Sequence, residues 1–234
     1  MAVHPVSLHY RPISHGRGED TARRILLAAI EVFAEEGYEG ASTRSLAGHA
    51  GVNSPAIQYY FGSKEGLYRA VIGHIAGLVE ARLEPVAQRI AAALAGAPSP
   101  HELTALLLEM LDGFVDLVTC RGIPEAAALM IARAEIENAE ALDALQQAVL
   151  RMAFGPAIAI VARLLGRAES DEEVKIRTFM IFGQTLMFKN KGTKMCGCPA
   201  LGWGEINETR LHQLQATLRE QTEAILRAAI EKTL

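Results

Sequence analysis

The chain has 234 residues, half of them hydrophobic but few aromatic, a formal net charge of −4 and three cysteines. It is long enough to bury a sizeable core as one large domain or two modest ones. Its weight of alanine and leucine favours an all-helical protein, and its odd cysteine count excludes the disulfide framework of a small secreted scaffold and points to a reducing cytoplasm. An acidic total excludes a diffuse electrostatic binder of nucleic acid, so a DNA partner would have to meet a local basic surface.

Residues 1–18 mix His, Pro, Arg and Gly without the apolar stretch of a signal peptide and read as a flexible N-terminal arm. Insertion of Arg11 and Arg17 into a minor groove is the less favoured alternative. Asp20 or Thr21 is expected to open a first helix that carries Ile25, Ala29, Val32 and Phe33 at helical spacing and stops at Gly37.

The stretch from Ser42 to Leu67 organises the chain. Ser42 and Thr43 are hydroxyls of the kind that accept from free N–H groups at a helix start, and Leu46, Ala47 and Ala50 then share one face. Gly51 stands where a left-handed residue ends that helix, Val52 is a candidate for burial in the turn, and Asn53 or Ser54 can cap the next helix. Pro55 sits at its first turn, where a missing N–H costs no bond. The pattern is a helix-turn-helix whose three elements, with the first helix, are expected to share a small core. From Ala41 to Lys64 the charged residues are Arg44 and Lys64, with no carboxylate between them. Hydroxyls, Gln58 and two tyrosines complete a surface suited to phosphate oxygens and base edges. Tyr59, Tyr60 and Phe61 cannot all be buried on one helix face, so at least one phenol should face outward.

In the order paired hydroxyls, Leu46-Ala47, Ala50-Gly51-Val52, Ala56-Ile57, Tyr60-Phe61, Ser63-Lys64-Glu65 and Leu67, the segment from Arg23 to Leu67 closely resembles the DNA-binding domain of the tetracycline-repressor (TetR) family. That resemblance implies a homodimeric transcription regulator, usually a repressor, whose variable C-terminal domain binds a small-molecule effector. It implies phosphate contacts at Thr43, Tyr59 and Lys64 and base-facing positions at Arg44, Pro55, Ala56 and Gln58, with Ser54 and Tyr60 completing the DNA-contact set. Ser54 stands where many members carry a basic residue, which weakens the expected phosphate grip.

Ser63 is expected to cap a fourth helix with Glu65 in its first turn, running toward Ala95 and kinked or split at Pro85. The resemblance makes this helix the link between the DNA-reading part, residues 19–66, and a ligand-binding and dimerisation part, residues 67–234. After a break at residues 96–100 the pattern predicts helices over 101–119, 124–136, 139–165 and 171–188, with Pro156 kinking the third, and a last helix over 205–232. Leu211, Leu214, Leu218, Ile225 and Ala229 form the stripe of that last helix. Val174, Phe179, Phe182 and Leu186 are more apolar than one buried face requires, which makes the last two long helices candidates for a four-helix dimer interface. No apolar run is expected to span a membrane, because even 126–132 is soon broken by Arg133 and Glu135.

Met110, Phe114, Met130, Met152, Phe154 and Met180 are adaptable wall material for an effector cavity, with Arg133 and Gln184 as polar groups among them, although methionines at helical spacing are more often ordinary core. Residues 188–204 read as a loop containing Cys196 and Cys198, and Leu201-Gly202-Trp203 resembles the lead-in to the last helix in the CecR-like branch of the family. Two thiols one residue apart lack further nearby ligands for a closed metal site, so no metal and no cofactor is assigned. A redox or metal sensor built on these cysteines, and a helical dimeric adaptor, are the competing readings. No nucleophile–base pair, His-Glu cluster or phosphate loop occurs at usable spacing, and His49, His74, His101 and His212 are scattered, so no enzymatic activity is expected.

Overall fold

The computed structural model describes residues 17–119, 121, 123–137, 139–188, 201 and 206–231; these contain helices and turns and no strand. The first helix, α1 (Arg17–Gly40), begins before the expected Asp20 or Thr21, because Glu19 and Asp20 in its first turn favour the exposed N–H end. Residues 17 and 18 therefore belong to the helix and not to the arm. Gly37, at φ 74 and ψ 175, interrupts the run where its end was expected.

Next come α2 (Thr43–His49) and α3 (Ser54–Phe61), with Ser42 accepting from the Ser45 N–H at 3.0 Å as the cap of α2. Gly51 adopts φ 63 in the turn, and Asn53 occupies the cap position of α3 without a side-chain bond. Ser63 caps α4 (Lys64–Leu94) by accepting from the Gly66 N–H at 2.9 Å. The α4 helix runs unbroken past Pro85, so of the expected kink or split the split does not occur. That proline is exposed, so the carbonyl left without its N–H can be hydrated.

The remaining elements are α5 (Pro100–Val118), α6 (Glu125–Glu137), a 3₁₀ turn (Ala139–Leu142), α7 (Asp143–Val149), a π turn (Leu150–Phe154), α8 (Gly155–Leu165), α9 (Glu172–Gly183), a second 3₁₀ turn (Gln184–Phe188) and α10 (Glu208–Glu231). Pro156 was expected to kink its segment; the turn that precedes it, Leu150–Phe154, widens to π winding. Glu140–Leu165 is long and apolar enough by composition to cross a membrane, contrary to the sequence expectation. It buries Ala148, Ala153, Ala157, Ile160 and Val161, and it packs on α4, α5 and α9 as a core helix does.

Two apolar clusters hold these elements. One joins Ile25, Ala29, Val32 and Phe33 of α1 to Leu46 and Ile57, with Val52 packed against it. The three short helices do not close it alone, since α2 and α3 bury only Leu46, Ala47 and Ile57 between them. Leu67, Val71 and Ile75 of α4 and Ala127, Met130 and Ala134 of α6 complete it. The other cluster is built from α4, α5, α8, α9 and α10. In α10 the buried stripe runs Leu211, Leu214, Leu218, Thr222, Leu226 and Ala229, leaving Ile225 exposed although it too stands at helical spacing from Leu218 and Ala229. In α9, Val174 and Phe182 point into this core. Surplus apolar surface is carried by Ile176, Phe179 and Met180, and by Leu186 and Met187 just beyond the helix.

Candidate nucleic-acid interface and apolar cavity

α2 and α3 are fastened from both sides by cations that sit on helix C-termini, where unbonded carbonyls concentrate negative potential. Arg24 of α1 donates to the Ala50 carbonyl at 2.9 Å and the Gly51 carbonyl at 3.2 Å, closing the end of α2. Lys64 of α4 donates to the Tyr38 carbonyl at 2.9 Å and the Ala41 carbonyl at 3.1 Å, with its ammonium 4.4 Å from the centre of the Tyr38 ring. The Tyr38 ring in turn meets Tyr68 and Phe33. Sequence reasoning missed Arg24, and it assigned Lys64 to a phosphate. The ammonium here is half-buried and engaged with the joint between α1 and α2.

Beneath this frame Ile57 is fully buried and fixes which face of α3 turns out. Ser54, Pro55, Gln58 and Tyr59 are exposed, Ala56 and Tyr60 half-buried; on α2, Thr43 and Arg44 are exposed. Tyr59 is 82% exposed and meets the Tyr60 ring edge-on, with centroids 4.9 Å apart. One phenol thus faces outward, and its neighbour braces it. No carboxylate lies between residues 41 and 64, although Glu36 of α1 accepts from the Ser45 hydroxyl at 2.8 Å beside α2; the residues of α2 and α3 themselves offer donors, hydroxyls and one guanidinium to a polyanion.

An apolar cavity of about 500 Å³ lies between α4, α5, α6, α7, the π turn and α9. Of the residues expected around a ligand, Phe114 and Phe154 line it. Met110 is buried in the larger cluster, where Met152 packs half-buried, and Met130 belongs to the cluster beneath α2 and α3. Arg133 pairs with Glu137 at 3.8 Å, Gln184 donates to the Ile181 carbonyl at 2.9 Å, and Met180 is exposed on α9. The walls are instead ordinary aliphatics such as Val79, Leu117, Ile131 and Leu145, with Glu135 and Gln146 as the polar side chains among the described lining residues. Nothing in their type distinguishes them from core, whereas methionine fills gaps wherever they occur. Among the described residues no cluster of metal-ligating side chains occurs. Cys196 and Cys198 lie outside the described residues, as do Gly202 and Trp203.

Residues 25–71 match the family model described as bacterial regulatory proteins, tetR family. Residues 103–229, more than half of the chain, match the model of the C-terminal domain of the HTH-type transcriptional dual regulator CecR. The chain is 26% identical over 221 residues to the HTH-type transcriptional dual regulator CecR of Shigella flexneri, covering 93% of this chain and 96% of that protein. It is 41% identical over 59 residues, 25% of this chain and 28% of that protein, to the HTH-type transcriptional repressor NicS of Pseudomonas putida. A crystal structure of a TetR-family transcriptional regulator from Mesorhizobium loti superposes with a TM-score of 0.52 at 18% identity, over 92% of this chain and 98% of that one, and so shares its fold.

Proposed function

The chain belongs to the TetR family of transcription regulators, in the branch with a CecR-type C-terminal domain, and from that premise we propose that it is a ligand-responsive repressor binding palindromic operator DNA as a homodimer. The observation that carries this reading is the face of α2 and α3, whose own residues include no carboxylate, with Arg44, Gln58 and Tyr59 exposed over a rigid frame. A helix of the size of α3 fits a major groove. Residues 19–66 serve as the DNA-reading part and residues 67–234 as the effector-binding and dimerising part. Arg44, Pro55, Ala56 and Gln58 read bases. Thr43, Ser54, Tyr59 and Tyr60 hold the backbone, and Lys64 acts by holding the joint that orients them.

The partner is a second copy, docked through the exposed apolar residues of α9 and α10, which presents two reading helices about one turn of duplex apart. The effector occupies the apolar cavity, whose volume falls in the usual range for small ligands. It favours a dimer whose reading helices no longer match two successive grooves, and it releases the operator in the cytoplasm. The name of the Shigella relative, a dual regulator, favours a second, activating role at other promoters.

Footprinting with the chain's own upstream DNA tests the reading. Protection of an inverted repeat with half-sites about 10 base pairs apart is expected. Absence of protection on any genomic fragment would remove it.

A further inference from the structure

The π turn Leu150–Phe154 stands at the edge of the apolar cavity. Its origin is local: Pro156 has no N–H to donate, and the Gly155 N–H reaches back five residues to the Leu150 carbonyl, which widens the turn and stores an extra residue in it. Three features of the surroundings converge on this turn. Leu150 and Phe154 line the apolar cavity. The Phe154 ring lies stacked on Phe179 of α9 at 4.6 Å and 24°, and it also meets Phe114 and Phe182 at 5.8 and 5.1 Å. Between the two cavity residues, Arg151 pairs with Glu80 on α4. Lys64, at the start of that helix, grips the joint ahead of the reading helices, and Lys64 and Glu80 are separated by about 24 Å of rigid helix.

We propose that this π turn is the sensing element of the cavity, that its ligand is an uncharged ring-bearing apolar molecule seated between Phe154 and Phe179, and that the Arg151–Glu80 pair carries the displacement to α4. The inference rests on the reading of the cavity as the effector site. Stacked rings 4.6 Å apart leave no room for a third, so an entering ring must push Phe154 away from Phe179. A turn that stores one residue can take up that displacement by relaxing to α-helical winding. Each residue in a helix advances by about 100°, so such a change turns Arg151 away from Glu80. The class of ligand follows from the walls. A charged group would lose its hydration against side chains that, among the described lining residues, are apolar apart from Glu135 and Gln146.

The test uses the full chain and N-phenyl-1-naphthylamine, a neutral aromatic probe that fluoresces when it leaves water. Saturable binding is expected, about tenfold weaker in Phe154→Ala, as loss of an aromatic wall implies. Hydrogen exchange should change on probe binding at residues 150–155 and in α4 around Glu80. In Arg151→Gln, a surface change that leaves the cavity intact, the affinity should be kept and the change in α4 lost. No saturable binding, or no exchange change at 150–155, or an α4 response equal in Arg151→Gln and the parent, would overturn the proposal. These readouts need no operator. Failure of the footprint with a positive probe result would count against the DNA reading alone, and a footprint with a negative probe result against this inference alone.

Discussion

Two of the three N–H groups of the Lys64 ammonium point at main-chain carbonyls, and this separates two roles that a lysine beside DNA can have. A phosphate contact contributes to the salt dependence of binding, whereas a clamp contributes to the stability of the frame. Lys64→Met is therefore expected to lower stability by about 2 kcal/mol, the scale of lost bonds from a charged donor, with the salt slope of DNA binding unchanged. Urea unfolding and titrations at several salt concentrations measure both. Gln58→Ala and Arg44→Ala should do the reverse, leaving stability alone and relaxing base preference by about 1–3 kcal/mol at the positions they face, read by selection from randomised half-sites. Gly37 presents a steric case. At φ 74 and ψ 175 only glycine is comfortable, and a Cβ there would stand 3.0 Å from the Glu137 carboxylate. Gly37→Ala should cost about 2 kcal/mol in thermal or urea unfolding.

Among the helices, Ser42, Gly51, Pro55 and Ser63 bracketed α2, α3 and the start of α4 in the sequence, because caps, left-handed turns and first-turn prolines are local and need no knowledge of neighbours. What the sequence hid depends on tertiary position. Ile225 looked like part of a stripe until Thr222 and Leu226 proved to be the buried pair. Pro85 and Pro156 are the same residue in the same kind of pattern, yet one lies exposed on an unbroken helix and the other follows a widened turn. The expected DNA face is exposed as the run of three aromatics required. The cavity was not legible, since an aliphatic lining a void and one lining a core have identical side chains. Ion pairs between elements were equally invisible, and one of them gives a pH prediction. Arg121 hydrogen-bonds Glu208 at the first turn of α10 and holds its carboxyl below the usual range. The folded state then binds fewer protons than the unfolded one in acid. Stability from this pair is present at neutral pH and is lost as pH falls below the ordinary glutamate range. Glu208→Gln should flatten that part of a stability–pH profile followed by urea unfolding.

For the molecule as a whole, the exposed row Ile176, Met180 and Met187 is too apolar to be left in water at no cost, and in the proposed homodimer it is the docking surface. Ile176→Glu with Met180→Glu would bury two unpaired charges at such an interface, each opposing association by at least about 2 kcal/mol. Light scattering should then report a monomer, and operator binding should fall with it although α3 is untouched. The cluster beneath the reading helices has a different reach. Because Ala127, Met130 and Ala134 of α6 finish it, the proposed DNA-reading surface is upholstered partly by residues more than sixty positions downstream. Grafting a foreign head onto this body, or this head onto another, would succeed only where the recipient's own α6 presents side chains of matching size at those three places, small at the first and third and methionine-sized at the second. Recombination between relatives is thereby restricted to exchanges that move both pieces together.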